Sequence, residues 1–248
     1  MKINGNTILI TGGATGIGFA LAEAFVMTGS EVIICARTEE NLNHAKERLP
    51  QVHIKMSDIS KEADCEELYT WATENFKDLN VLINNAGIQR MIDFKKGTED
   101  LLRYRAIDGE DEIGVNFRSL VYLTALFIPH LMKQKEAAIM NVSSGLAFRP
   151  MPMLPVYSAT KAAVHTFSIA LRHQLEGTSV KVFELIPPMV DTNLDKGARK
   201  ARGQKYFGIT TDELVQPAMK AFETDEYEIR VIDPNLETMM GQNQGRPS

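Results

Sequence analysis

Short apolar runs alternate along this chain with longer segments whose apolar positions recur every three to four residues. The runs Ile8-Leu9-Ile10 and Val32-Ile33-Ile34-Cys35 are continuous, as strands covered on both faces are. On this pattern strands are expected at 7–11, 31–36, 52–56, 81–84, 138–142, 180–186 and 228–232. Helices are expected at 16–28, 39–48, 61–76, 112–133, 157–176 and 211–222. Strand alternating with helix implies parallel pairing and right-handed crossovers. The expected fold is α/β: one doubly wound domain of about seven parallel strands flanked by helices. It covers residues 1–232 and leaves an irregular tail, 233–248, rich in Asn, Gln, Gly and Pro.

Two segments break the pattern. Residues 148–155 hold three prolines, which excludes a helix interior. Residues 189–212 are polar and weakly patterned, as lids often are. Both follow strands. Ligands of open α/β sheets bind outside the carboxyl ends of the strands, so both segments are expected beside a ligand site.

Composition narrows the function. With 44% hydrophobic and 24% charged residues, the 248-residue chain can bury a substantial core. A net charge of −5 argues against nucleic acid held through phosphates. The basic positions Lys196, Arg199, Lys200, Arg202 and Lys205 read as a solvated face. Two cysteines, Cys35 and Cys65, make neither a disulfide framework nor a zinc site. The histidines at 44, 53, 130, 165 and 173 show no ligand spacing, so no metal is expected. The longest apolar run, 120–128, is too short to span a bilayer. The first residues lead at once into a strand and leave no room for a signal peptide. A cytoplasmic protein without membrane contact is expected.

Candidate chemistry begins at Thr11-Gly12-Gly13-Ala14-Thr15-Gly16-Ile17-Gly18, between the first strand and the first helix. Glycines there let the backbone approach a pyrophosphate, and the helix N-terminus offers free N–H groups. Glycines also gather in ordinary turns, so the loop is weak by itself. The second strand ends Cys35-Ala36-Arg37-Thr38, with no carboxylate before Glu39. A guanidinium there suits a ribose 2′-phosphate. Tyr157 and Lys161 are four apart on an expected helix, so both project from one face.

These features occur in order with Asn84-Asn85-Ala86-Gly87, Asn116, Ser143-Ser144 and Tyr157-Ser158-Ala159-Thr160-Lys161. The set resembles the short-chain dehydrogenase/reductase family over about residues 7–192. The run from Asn85 to Arg90 is similar to that of a bacterial oxidoreductase subgroup. The resemblance implies a Rossmann fold and hydride transfer between NADP(H) and a carbonyl or alcohol of unassigned identity. The implied catalytic residues are Asn116, Ser144, Tyr157 and Lys161. Tyr157 is the implied acid/base. Free tyrosine has a pKa of ~10, and the Lys161 ammonium is expected to lower it. Ser144, preferred to Ser143 on its spacing to Tyr157, would bond the substrate oxygen. Asn116 would hold a water in the proton relay.

The implied cofactor contacts are Gly12, Thr15, Gly16, Ile17 and Gly18 at the phosphates, and Arg37, Asp58 and Ile59 at the adenosine. Asn85, Ala86 and Gly87 follow along the cleft, with Tyr157, Lys161, Pro187, Val190 and Thr192 near the nicotinamide. Arg37 favours NADP(H) over NAD(H). Pro188 stands where the family usually has glycine.

Ser144, Met151, Met153, Leu154 and Met189 are expected to form a largely apolar substrate pocket, unless the methionines and Leu154 simply pack their loops. An anionic substrate met by Lys196, Arg199 and Lys200 is the competing possibility. The family commonly forms homodimers or homotetramers. Leu120, Leu123, Phe127 and Leu131 offer more apolar surface than one sheet face is expected to need. A nucleotide-sensing regulator without turnover is the alternative function, but such proteins tend to lose the tyrosine or lysine kept here. A methyltransferase on a related sheet gives no reason for the four catalytic positions.

Overall fold

A computed structural model describes residues 1–108, 112–192, 194 and 208–233. Seven strands form one sheet: β1 (Thr7–Thr11), β2 (Glu31–Ala36), β3 (His53–Met56), β4 (Leu79–Asn84), β5 (Ala137–Val142), β6 (Val180–Ile186) and β7 (Glu228–Arg230). Their order is β3-β2-β1-β4-β5-β6-β7, and every pairing is parallel. The helices are α1 (Gly16–Met27), α2 (Glu39–Arg48), α3 (Glu62–Asn75), α4 (Glu99–Asp108), α5 (Ser119–Leu131), α6 (Pro155–Gln174) and α7 (Thr211–Thr224). The chain reverses its direction across the sheet between β1 and β4, which opens a crevice at their carboxyl ends.

Two cores, one on each face, explain the continuous apolar strands. Successive strand residues point to opposite faces. Ile8, Ile10, Val32 and Ile34 join Phe19, Phe25, Leu42 and Phe222, from α1, α2 and α7. Leu9, Ile33, Leu82 and Ile139 join Leu68, Leu123, Phe127 and Leu171, from α3, α5 and α6. A buried side chain of this size contributes about 1.5–3 kcal/mol. Leu120, Leu123, Phe127 and Leu131 are all buried within the chain itself. They are absorbed by its own sheet face, so the surplus that had suggested self-association does not exist at these four residues.

A buried polar chain ties the sheet to the helices of the site. Asn84 Nδ2 donates to Asn141 Oδ1 (2.9 Å) and Thr124 Oγ1 (3.1 Å), and Asn141 Nδ2 donates to Ser168 Oγ (2.9 Å). It joins β4 and β5 to α5 and α6.

The expected elements are present with three informative differences. The segment expected as one helix over 112–133 contains a π-helical stretch, Gly114–Arg118, before α5. Helix α4 and the short 3₁₀ turn Phe94–Lys96 were not anticipated, because their apolar residues Phe94, Leu101 and Leu102 are exposed and set no stripe. Helix α6 begins at Pro155 rather than Tyr157, since proline is tolerated in the first turn, where its missing N–H is no loss. The basic positions from Lys196 to Lys205, most of the expected lid and nearly all of the expected tail lie outside the described residues.

Candidate active site

The glycine turn is built to a close tolerance. Gly12 has φ +63°, and a Cβ there would stand 2.9 Å from Ala86 Cα. The two motifs brace each other. Thr11 Oγ1 accepts the N–H groups of Asn85 (3.0 Å) and Ala86 (3.1 Å). Asn85 Nδ2 donates to Thr11 O (2.9 Å) and Gly12 O (3.2 Å). The N-cap of α1, Thr15, makes no side-chain capping bond, and the first turn holds no acidic residue. Its N–H groups are left for an anion.

A cleft of about 360 Å³ runs from this turn along the carboxyl ends of the strands. Gly12, Thr15, Gly16 and Ile17 line one part, and Arg37, Asp58 and Ile59 another. Asn85, Ala86, Gly87, Tyr157, Lys161, Pro187 and Thr192 line the rest of the expected surface. Two expected contacts stand outside the lining. Gly18 packs α1 onto the turn, where a Cβ would meet Gly12 O at 2.5 Å. Val190 forms a bridge with Ile209. Burial pushes the Asp58 carboxyl up, but bonds from the Ser60 hydroxyl and N–H, and then Lys61, bring it below its usual range.

Further lining residues escaped the motif reading. Thr38 and Asn41 stand near Arg37 in sequence, Ile88, Gln89 and Arg90 extend the Asn85–Gly87 turn, and Ser143 precedes Ser144. Ile88 to Arg90 are marked only by the run shared with the bacterial subgroup, Ser143 only as the neighbour of Ser144, and Thr38 and Asn41 only by following Arg37.

Helix α6 brings in Tyr157 and Lys161, both buried. Lys161 Nζ donates to Val142 O (2.8 Å) and lies 5.7 Å from the centre of the Tyr157 ring. Ser144 lies near enough to the Tyr157 hydroxyl to act on it. Ser144 also caps the turn Gly145–Ala147, its Oγ accepting the Leu146 N–H (3.1 Å). The side chain of Asn116, in the π-helical stretch, is committed elsewhere. Its Nδ2 donates to Ile88 O (2.8 Å) and Thr160 Oγ1 (3.1 Å), and its Oδ1 accepts the Ile88 N–H (2.8 Å). It therefore clamps the loop after β4 to α6, rather than reaching for a water as expected.

The expected lowering of Tyr157 is corrected. Burial pushes its hydroxyl up to about 12; the Ser144 bond acts downward and the Glu112 carboxylate upward. The Lys161 ammonium bonds the Val142 carbonyl, not the phenol oxygen, and burial lowers it to about 8. At neutral pH Tyr157 is thus a protonated phenol, suited to donating a proton.

The expected substrate residues are dispersed, and Ser144 itself stands outside the cleft lining, beside Tyr157. Leu154 is buried as the N-cap of α6, and Met153 is exposed, its carbonyl accepting the Ile92 N–H (3.2 Å). The Met151 N–H donates to Ser158 Oγ (3.4 Å), and the Met189 carbonyl accepts the Ile209 N–H (3.0 Å). None of the four lines the cleft. Spacing also concealed one group of metal-ligand type: His165, Glu184 and Glu228 converge within 4.8 Å. Among the described residues no helix is long and apolar enough to cross a membrane.

A doubly wound sheet with a glycine turn at its reversal point, and Tyr157 and Lys161 lining one cleft with Ser144 beside the tyrosine, defines a nucleotide-dependent oxidoreductase class. The chain belongs to the short-chain dehydrogenase/reductase family, whose model, described as short chain dehydrogenase, matches residues 6–203. It is 53% identical over 229 residues to the uncharacterized oxidoreductase DltE of Bacillus subtilis, covering 92% of this chain and 89% of that one. It resembles a short chain dehydrogenase from Burkholderia cenocepacia in complex with NADP, with TM-score 0.79, 27% identity and coverage of 99% and 96%. It also resembles a 3-ketoacyl-(acyl-carrier-protein) reductase from Brucella melitensis complexed with NADH, with TM-score 0.75, 29% identity and coverage of 89% and 91%. The chain is an oxidoreductase of this family, with a site for a nicotinamide cofactor.

Proposed function

We propose that this chain is an NADP(H)-dependent carbonyl reductase, acting in reverse as an alcohol dehydrogenase. The observation that carries the reading is the buried, protonated Tyr157 in the lining of the nucleotide cleft, with Lys161 beside it and Ser144 near enough to act on its hydroxyl. The residues fit the cofactor. The uncapped start of α1 suits the pyrophosphate, and the space kept clear at Gly12 allows close approach of its backbone. Arg37, which lines the cleft with Thr38 and Asn41, suits a 2′-phosphate, and no acidic residue stands between the end of β2 and Glu39 to favour a free 2′-hydroxyl. The bound nicotinamide supplies the hydride.

The chain itself handles the proton. Tyr157 donates its hydroxyl proton to the carbonyl oxygen and, in reverse, takes it from the alcohol. Ser144 donates a hydrogen bond to the same oxygen. Lys161 provides the adjacent positive charge that favours the phenolate left behind. The two cysteines, both free and buried, suit a reducing cytoplasm.

The test is a panel of ketones and aldehydes followed by NADPH absorbance, with both cofactors titrated against the wild type and Arg37→Ala. Turnover of a carbonyl compound, tighter binding of NADPH than NADH, and loss of that preference in the variant are expected. Equal affinities in the wild type would refute the NADP assignment, and no turnover with either cofactor would refute the reductase.

A further inference from the structure

Glu184 is a carboxylate side chain placed deep in the sheet. It lies in the middle of β6 with no exposure, between Phe183 and Leu185, paired in register with Asn141 and Glu228. A carboxyl group in such a place is strongly unfavourable unless its oxygens are satisfied. Both are. The Ser143 hydroxyl donates to Oε1 (2.5 Å), and His165 Nδ1 lies 2.8 Å from Oε2.

Both partners lead back to the site. Ser143 directly precedes Ser144. The backbone on each side of Ser144 is already stitched to β6 and its exit, by Ser143 N–H to Leu185 O (2.9 Å) and Gly145 N–H to Pro187 O (2.9 Å). Glu184 adds a side-chain anchor at the same point. His165 continues the stripe on α6 that carries Tyr157 and Lys161, each four residues apart. Its ring packs edge-on against Phe148 (4.5 Å between centres), and Arg230 lies 4.3 Å from the centre of the Phe148 ring. Glu228 is engaged by the same Arg230, through Nε (2.7 Å) and Nη2 (2.6 Å).

We propose that Glu184 and His165 are positioning residues: the chain Ser143–Glu184–His165 locks the loop that presents Ser144 to the helix that presents Tyr157. This rests on the reductase reading of the site. Proton transfer in that reading needs Ser144 and Tyr157 to converge on one oxygen, and a misplacement of about 1 Å can cost ~10²-fold in rate. Neither Glu184 nor His165 lines the cleft, so both act through the residues they hold.

The test compares wild type, Ser143→Ala, Glu184→Ala, their double variant and Glu184→Gln. Glu184→Ala should lower kcat for carbonyl reduction about 10- to 100-fold with KM for NADPH unchanged. Ser143→Ala should do the same, and the double variant should be no worse than either single one, because all three break one linkage. Glu184→Gln keeps an acceptor for Ser143 and an N–H for His165, so most of kcat should return. Unchanged kcat in Ser143→Ala and Glu184→Ala, with only Tm lowered, overturns the proposal. Should Glu184→Ala fail to fold, Ser143→Ala decides, since it removes a single oxygen. A crystal structure of Ser143→Ala gives a readout independent of turnover. Ser144 Oγ should move away from the Tyr157 hydroxyl, and an unmoved Ser144 overturns the proposal even if the reductase reading itself fails. A rise in wild-type Tm with Zn²⁺ or Mn²⁺ that Glu228→Gln abolishes would also overturn it, by making the trio a cation site.

Discussion

Gly18→Ala tests how closely α1 is seated on the phosphate turn. By helix propensity alone, alanine is favoured over glycine by about 1 kcal/mol. The structure reverses the sign. A Cβ at this position would stand 2.5 Å from Asn85 Nδ2 and 2.5 Å from Gly12 O. Gly12 O belongs to the backbone and cannot rotate away. Asn85 can turn, but only by releasing Thr11 O and Gly12 O. Overpacking costs about 1–3 kcal/mol, and each lost hydrogen bond about 0.5–1.5 kcal/mol. With both bonds lost and set against the propensity gain, the net loss is about 1–5 kcal/mol. Part falls on stability, at about 2–4 °C of Tm per kcal/mol for a chain of this size. Part falls on the cofactor, at about tenfold in affinity per 1.4 kcal/mol. Thermal unfolding and an NADPH fluorescence titration measure the two shares. Gly29→Ala is the control: that position has φ +77° but no atom within 4 Å of the added Cβ, so it should lose stability and keep wild-type affinity for NADPH. A Gly18→Ala protein with wild-type Tm and NADPH affinity would refute the packing argument.

Carbonyl reduction needs the Tyr157 proton, held until about 12, and the Lys161 charge, held below about 8. Its kcat/KM should therefore be level from neutral pH up to about 8 and fall above it, while alcohol oxidation, which needs the phenolate, should rise with pH through the same range; a reduction profile that climbs above pH 8 contradicts this. Burial pushes both Cys35 and Cys65 up to about 12, so neither should be alkylated by iodoacetamide at neutral pH unless the chain is unfolded, and rapid labelling of the folded protein would contradict the burial. Light scattering at micromolar concentration should show a homodimer or homotetramer. The apolar residues left for that contact include the partly buried Leu126, Ile128 and Phe167 on α5 and α6, and a monomer would remove the proposal.

The strands were legible because strands buried on both faces leave an uninterrupted apolar signature, as at Ile8–Ile10 and Val32–Cys35. Helix α4 was not, because Leu101 and Leu102 are exposed and set no period against Glu99 and Asp100. The π-helical stretch around Asn116 was hidden for a different reason. A one-residue change in hydrogen-bond register barely alters apolar spacing, and its cause is tertiary: Asn116 is held by Ile88 and Thr160. Local spacing placed Tyr157 and Lys161 on one face. It could not reveal that Glu112 lies near enough to act on Tyr157, nor that burial outweighs every charge there. The Ser143–Glu184–His165 chain was invisible because three elements supply it, and parallel register, not sequence distance, sets Glu184 beside Glu228. The cleft-lining residues Gly12, Arg37, Asp58 and Asn85 were easier to read because each follows a strand end, which the apolar pattern already marks.

The central claim is that the Tyr157 hydroxyl carries the proton, and Tyr157→Phe tests it most directly. The substitution keeps the buried ring and removes only the hydroxyl oxygen on which Ser144 acts. Carbonyl reduction by purified wild type and variant is compared under saturating NADPH, with NADPH affinity measured on the same samples. The account predicts a loss of about 10²–10⁴-fold in kcat with NADPH affinity nearly unchanged. Activity within a few-fold of wild type would remove Tyr157 from the chemistry and contradict the account.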